Sequence, residues 1–447
     1  MALLPKEIFK AYDIRGIVGQ TLTPEFVEII GRAIGSEAID RKQTEICVGF
    51  DGRLSGPELS NALIKGILKT GIHVINLGMV TTPMVYFSTF FLKTQSGVMV
   101  TGSHNPPDYN GLKMVLGSDT LSTEAIQKLY ARIEKESFYD GQGIEKKYDI
   151  ANDYIDAIKN HIHLKRPMKI VIDCGNGVAG AYARQIYESI GCSVEELFCD
   201  VDGTFPNHHP DPSEPHNLND VIAHLKKSDA ELGFAFDGDG DRLIAVDENG
   251  RVVDGDRLIG LSAIDRRDHN TLANNTVVVT VMSNLGFHQA MKQQGINVET
   301  TTVGDRYVLD AMELGGFVIG GEQSGHIIHR DLATTGDGLL SAIVLAQLVR
   351  GRQENDGSKF SQLASSVMHT FPQVLKNVKV AVRPHDVAQL LATEIAAEEA
   401  VLGENGRVLV RASGTEPLIR VMVEAPTAEM ANEVADRLVA VAVNKCL

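Results

Sequence analysis

Residues 232–247 read LGFAFDGDGDRLIAVD. Two apolar runs of strand character, LGFAF and LIAVD, enclose a turn in which Asp237, Asp239 and Asp241 alternate with Gly238 and Gly240. Like charges that close repel strongly unless a cation neutralises them. Glycine lets the backbone turn tightly enough for all three acids to face one ion. Oxygen ligands suit a hard divalent cation, and magnesium binds few carboxylates together with a phosphate. The rival is a calcium-binding helix-loop-helix, because Asp237, Asp239, Asp241 and Glu248 fall at its ligand spacing. Arg242 stands where that loop needs glycine, and the flanks are strand-like instead of helical. The stretch reads as strand, metal loop, strand: half of a phosphoryl-transfer site.

The same alternation extends on both sides. Thr44–Asp51, His73–Leu77 and Gly97–Thr101 read as strands, with a helix near Pro57–Thr70. Met168–Asp173 runs into the glycine-rich turn CGNGVAG and a helix, and Thr276–Val281 leads through a helix ending near Met291 to a strand at Asn297–Thr301. Such βαβ order predicts mostly parallel sheets covered by helices, recurring about three times at roughly domain spacing. The last part changes character. Strands near Val378–Val382, Gly406–Arg411 and Ile419–Glu424 and an amphipathic helix from Thr427 to about Asn444 predict a small α+β domain. Polar, glycine-bearing stretches at Tyr139–Lys146, Asp247–Asp254 and Gly351–Gly357 are the candidate boundaries, the last reading as a linker. The domains expected are therefore residues 1–147, 148–250, 251–355 and 356–447.

A chain of 447 residues is too long for one core. Its net charge of −16 argues against nucleic acid or an anionic membrane as partner. Phosphate binding by so acidic a chain requires its arginines and lysines to be concentrated locally. Cys47, Cys174, Cys192, Cys199 and Cys446 lack metal spacing, and their odd number suits a reducing compartment. The N-terminal MALLPKEIFKAYDIRG has no signal-peptide pattern, and no apolar run reaches membrane-spanning length. A cytoplasmic location is expected.

Three more segments carry chemistry. In VTGSHNPPDYNGLK (residues 100–113), Ser103 lies just past an apolar strand, where parallel α/β sheets place ligands, and His104 and Lys113 supply donors for a phosphoserine. The competing readings are a surface turn and an acyl-transfer nucleophile. The nucleophile elbow fails because Asn105 replaces its final glycine. GGEQSGH (residues 320–326) presents Glu322 and Ser324 on a glycine-flanked loop, a combination suited to sugar hydroxyls that both donate and accept. RASGTEPLIR (residues 411–420) places Ser413, Gly414 and Thr415 between Arg411 and Arg420, an anion nest without a P-loop lysine. Each has an ordinary polar turn as its competing reading. FKAYDIRG near the N-terminus contributes Tyr12 and Arg15.

Together these segments resemble the α-D-phosphohexomutase superfamily over nearly the whole chain. The resemblance implies four domains around a central cleft, three similar α/β units plus a smaller C-terminal domain. It implies reversible conversion of hexose 6-phosphates to 1-phosphates through a hexose 1,6-bisphosphate. Ser103 then resembles the phosphoserine, and Asp237, Asp239 and Asp241, together with Ser103, the ligands of one Mg2+. Glu322 and Ser324 resemble the hydroxyl readers. Arg411, Ser413, Gly414, Thr415 and Arg420 resemble the loop for the non-reacting phosphate. Arg15, His104 and Lys113 surround the phosphoserine, with Lys113 or His326 as proton-transfer group. Tyr12 and Arg242 join the substrate contacts, Arg242 balancing the acids or reaching a phosphate oxygen.

AYDIRG and TGSHNPPDYNG look like the bacterial phosphomannomutase/phosphoglucomutase branch. From about Phe236 onward, DRLIAVDENGRVVDGD, VGDRYVLD, GEQSGH and TTGDG look like phosphoglucosamine mutase. Because the hydroxyl-reading loop lies in the second part, glucosamine phosphate is expected to lead over mannose and glucose phosphates. The partners expected are small sugar phosphates, with the chain a monomer or homodimer. A non-catalytic sugar-phosphate binder is the alternative of another class.

Overall fold

The computed structural model describes residues 4–121, 123–159, 162, 164, 166–380, 386–412 and 418–446 (the backbone alone at 446). They form two compact units, one of residues 1–281 with 299–364, the other of 282–298 with 365–447.

The first unit holds three sheets. The first contains β1 (Ile14–Ile17), β2 (Glu45–Phe50), β3 (His73–Met79), β4 (Gly97–Val100), β5 (Tyr109–Leu116), the short β6 (Asp119–Thr120) and β7 (Glu145–Lys147). Its order is β1-β5-β4-β2-β3-β7, with β6 paired to β5. The second contains β8 (Met168–Asp173), β9 (Cys192–Leu197), β10 (Leu232–Phe236), β11 (Leu243–Asp247) and β12 (Val252–Val253), in the order β12-β11-β10-β8-β9. The third contains β13 (Thr276–Thr280), β14 (Asn297–Thr301), β15 (Ile319–Gly321) and β16 (Ile327–His329), in the order β14-β13-β15-β16.

One wiring is used three times. In the first sheet β3, β2 and β4 run parallel and β5 returns antiparallel beside β4. In the second, β9, β8 and β10 run parallel and β11 returns beside β10. In the third, β13 and β15 run parallel and β16 returns beside β15. The repeat that residue identities left unproven is thus visible in the connections. The β4–β5, β10–β11 and β15–β16 returns carry Ser103, the three aspartates and Glu322, so all three loops leave the C-terminal ends of parallel strands. The central strands β4 and β10 are buried along their whole length, which is why they read as unbroken apolar runs.

The second unit carries β17 (Gln373–Lys379), β18 (Arg407–Ala412) and β19 (Leu418–Glu424), all antiparallel in the order β17-β19-β18, packed on the helix Ala428–Cys446. Its core gathers Val408, Val410, Ile419, Val421 and Val423 from the sheet with Ala431, Val434, Ala435 and Leu438 from the helix. This is the small α+β domain expected, with its first strand earlier than the Val378–Val382 reading; residues 381–385 lie outside the described residues.

Two expected boundary stretches are structured. Residues 351–356 are the last turns of the helix Gly338–Asp356, capped by left-handed Gly357, so the linker reading does not hold there. Their polar side chains are engaged: Arg352 pairs with Asp265 and Asp268, and Gln353 bonds Glu231. Glu145–Lys147, overlapping the expected boundary at Tyr139–Lys146, pairs with β3 as an exposed edge strand. No described helix is long and apolar enough to cross a membrane.

Candidate active site

Ser103 sits one residue beyond Thr101 and Gly102 at the end of β4, with φ of 48° and almost no exposed surface. Its strained backbone is held from two sides. Ser103 N donates to Thr101 Oγ1 at 2.7 Å, and Thr101 Oγ1 in turn donates to Asp51 Oδ2 at 2.7 Å. From below, the buried Arg53 guanidinium donates to the carbonyls of Ser103, Asn105, Pro106 and Tyr109 at 2.5 to 3.0 Å. Arg53 also pairs with Asp51 at 3.3 Å. A planar fork with several fixed donors suits such a cluster of carbonyls.

The serine hydroxyl faces the aspartate loop. Ser103 Oγ donates to Asp237 Oδ2 at 2.9 Å and lies 3.2 Å from His104 Nδ1. A Cβ on Gly238 would stand 2.4 Å from the Ser103 carbonyl oxygen, so only glycine lets the two loops approach this closely. Repulsion from Arg242, then burial, Arg15 and Lys113 hold His104 well below the usual histidine range, so its ring is neutral.

Asp237, Asp239 and Asp241 are all buried, and each offers an oxygen within 4.8 Å of the others. Lys113, from β5, reaches Asp239 Oδ2 at 2.8 Å and Asp241 Oδ2 at 2.6 Å. Burial would lower the lysine, but Asp239, Asp241 and Asp237 outweigh it and hold Lys113 well above its ordinary value. Burial and repulsion from Asp241 and Asp239 push Asp237 well up. Thr82 Oγ1 donates to Asp239 Oδ2 at 2.6 Å. Thr82 is aimed there by the start of its helix, Thr82–Phe91, where Thr81 Oγ1 accepts from Met84 N and Pro83 fits the first turn. Two buried oxygens, Asp239 Oδ1 and Asp241 Oδ1, accept no hydrogen bond among the described residues. Orphaned carboxylate oxygens in an all-oxygen donor set are what a hard divalent cation satisfies, so these residues fit Mg2+.

The third loop meets the second through backbone. Arg242 and His326 form an isolated bridge, and Leu243 N donates to Gly325 O at 2.9 Å. His326 is buried with Nδ1 3.6 Å from Asp241 Oδ1, while its Nε2 accepts from Gly336 N at 3.1 Å. A Cβ at Gly336 would stand 2.4 Å from that ring nitrogen. Burial disfavours the charged ring, but Asp241, Asp305 and Glu322 raise His326 overall. Glu322 Oε1 accepts from Gly304 N at 3.1 Å.

These groups line one cavity of about 220 Å³ that includes Tyr12, Arg15, Ser103, His104, Lys113, Asp241, Arg242, Glu322 and His326. Arg15 Nη1 donates to Asn105 Oδ1 at 2.7 Å, and Tyr12 OH donates to Val303 O at 3.3 Å. Ser324 is half-buried and does not line the cavity. In the second unit, Arg411 and Arg420 are register partners across β18 and β19, a like-charged pair at the mouth of the connecting loop. Ser413, Gly414 and Thr415 lie outside the described residues.

Sequence reasoning missed Asp51, Arg53, Thr82 and Asp305. Asp51 and Arg53 had a legible signal: they directly follow β2, whose C-terminal end adjoins that of β4. Thr82 had none, because it comes from a helix start 157 residues away from its partner.

The chain matches, in order, the phosphoglucomutase/phosphomannomutase alpha/beta/alpha domains I, II and III and the C-terminal domain over residues 6–140, 152–250, 254–371 and 375–441. A phosphoglucomutase of Neisseria meningitidis is 44% identical over 440 residues, spanning 96% of this chain and 95% of that one. A phosphoglucosamine mutase of Oceanobacillus iheyensis is 39% identical, over 97% of this chain and 98% of that one. Among solved structures, a phosphoglucomutase/phosphomannomutase family protein of Burkholderia thailandensis superposes with a TM-score of 0.89 at 35% identity, each chain 99% covered.

Proposed function

Since the chain belongs to the phosphoglucomutase/phosphomannomutase family and is a phosphohexomutase, we propose that it works through phosphorylated Ser103 and a hexose 1,6-bisphosphate, with glucosamine phosphate preferred. The observation that carries this reading is the 2.9 Å contact between Ser103 Oγ and Asp237 Oδ2, which joins the covalent phosphate carrier to the ion-binding loop.

In this reading Ser103 donates its phosphoryl group to one hydroxyl of the sugar phosphate and recovers one from the other end of the bisphosphate. Asp237, Asp239, Asp241 and phosphorylated Ser103 would hold Mg2+, which would supply charge stabilisation to the transferring group. Lys113, Arg15 and Arg242 contribute fixed positive charge on the same side of the cavity. His104, neutral and 3.2 Å from the serine oxygen, offers a hydrogen bond that follows the oxygen as its charge changes. His326 accepts the proton of the attacking hydroxyl, because Lys113, held well above its ordinary value by the aspartates, stays protonated as fixed charge. Glu322 reads the sugar, and Arg411, Ser413, Gly414, Thr415 and Arg420 hold the phosphate that is not reacting. Exchange of the two phosphates requires the bisphosphate to turn over between half-reactions.

The preference for glucosamine phosphate rests on the second-half motifs VGDRYVLD and GEQSGH. The 44% identity to a phosphoglucomutase favours a second reading, in which glucose or mannose phosphate is the main substrate. Coupled assays with glucosamine, glucose and mannose phosphates side by side, together with mass spectrometry of Ser103, test both. Absence of phosphate on Ser103 in turning-over enzyme overturns the carrier assignment, and the ranking of the sugars decides the rest.

A further inference from the structure

We propose that Asp305, with Glu322 beside it, reads a substrate ammonium group, so that the chain selects 2-amino-2-deoxyhexose phosphates over their hydroxyl counterparts. This rests on the mutase reading above and names the residue behind its sugar choice.

The basic groups that line the cavity are matched by acids. Arg15 pairs with Asp13, Lys113 with Asp239 and Asp241, and Arg242 with Asp241, whereas Asp305 has only His326 among the described residues, at 3.9 Å. The uncharged ring of a hexose phosphate offers Asp305 no cation.

Asp305 opens the helix Asp305–Gly315, and its side chain is 43% exposed, reachable from the cavity it lines. Among the described residues its carboxylate has no hydrogen-bond partner. Its nearest basic nitrogen is His326 Nε2 at 3.9 Å, and that nitrogen already accepts the Gly336 N–H, so it presents no proton to Asp305. The adjacent Arg306 does not neutralise it either, because that guanidinium is engaged by Asp119, Asp310 and the Thr120 carbonyl.

Both carboxylates project onto the same space. Burial first, then the charge of Asp305, raises Glu322 against the opposing pull of His326 and Arg242. Tyr12, whose ring closes the cavity edge against Tyr307, is pushed up to about 12 by burial, Tyr307, Asp305 and Glu322. A cation entering there relieves this accumulated negative charge, whereas a hydroxyl adds only a neutral hydrogen bond. An acidic residue in the first turn of a helix also interacts with the helix dipole. That role is indifferent to the substrate, which separates the two explanations.

The test compares kcat/KM for glucosamine 6-phosphate and glucose 6-phosphate in the parent chain and in Asp305→Asn. Asp305→Ser carries the same readout should the amide variant fail to fold. The expected result is a parent that favours the amino sugar and a variant in which the ratio of the two kcat/KM values falls about tenfold or more, the size of one charge-assisted hydrogen bond, chiefly through KM. The parent's preference should also fade as pH rises through the titration of the sugar amine. An unchanged ratio, or an equal loss on both sugars, overturns the assignment of Asp305 and leaves the mutase reading standing. A parent that turns over neither sugar overturns the mutase reading itself.

Discussion

Ser103 and Asp237 meet at 2.9 Å across 134 residues of chain, the hydroxyl donating to a buried carboxylate of another sheet. Two loops that are remote in sequence and equivalent in wiring therefore share one hydrogen bond. Ser103→Ala is expected to abolish turnover with all hexose phosphates while leaving the circular dichroism spectrum unchanged. Alanine meets the same positive φ as serine, so the backbone cost is not increased. Full activity in this variant would remove the phosphoserine from the mechanism.

Asp239 accepts from Lys113 and Thr82 with one oxygen, and the other accepts no hydrogen bond among the described residues. Asp239→Asn should lower turnover by about two to three orders of magnitude, the scale of losing one preorganised electrostatic partner. It should also weaken Mg2+ binding in titration calorimetry. Activity that survives in excess chelator would refute the metal assignment.

Arg53 is buried and serves four carbonyls and one carboxylate. Its removal strips these carbonyls of a shared donor and leaves Asp51 buried without its counter-charge, a cost of about 3–5 kcal/mol. Arg53→Met should show that loss in urea unfolding. Arg53→Lys should recover little, because three ammonium donors on one atom cannot span the carbonyls that a planar fork reaches.

His329 is buried, and desolvation first, then repulsion from Arg266, depresses its ring to about 3. The native state therefore binds fewer protons than the unfolded chain once pH falls below the ordinary histidine value. The stability this residue contributes is complete above that value and is lost as pH drops. From about pH 8 to about pH 5 the expected loss is about 2 kcal/mol. His329→Gln should flatten this part of the stability profile, and a profile identical to the parent's would contradict the assignment.

Arg420 stands opposite Arg411 in the β18–β19 pair. In the proposed phosphate-holding role, Arg420→Ala should raise KM for sugar phosphates about tenfold, as for loss of one charge-assisted contact, with a smaller effect on kcat. An unchanged KM would take this strand pair out of the substrate site.

The sequence made β2, β4, β8, β10, β11 and β13 legible as buried apolar runs, but not β15 and β16, which are buried too and, at three residues each, too short to show a pattern. Met168–Asp173 is observed as read, and the helix expected near Pro57–Thr70 runs from Gly56 to Leu68. Polar structure also stayed hidden. Glu145–Lys147 is an exposed edge strand without apolar residues, indistinguishable from a loop by periodicity. The end of the helix Gly338–Asp356 reads as linker because its charged residues are satisfied by neighbours distant in sequence, such as Arg350 by Glu231. At the site, the acids and the serine announced themselves through glycine-rich spacing. Arg53 and Thr82 did not, since their partners are main-chain carbonyls and a carboxylate contributed by other parts of the chain.

The threefold use of one connection order divides labour among three sockets. One return carries Ser103, one the three aspartates and one Glu322. The second and third are not independent: Leu243 N donates to Gly325 O, and Arg242 bridges to His326. A substitution at Gly325 or His326 therefore reaches the acids as well as its own loop, so the repeated wiring yields coupled sockets instead of separable ones.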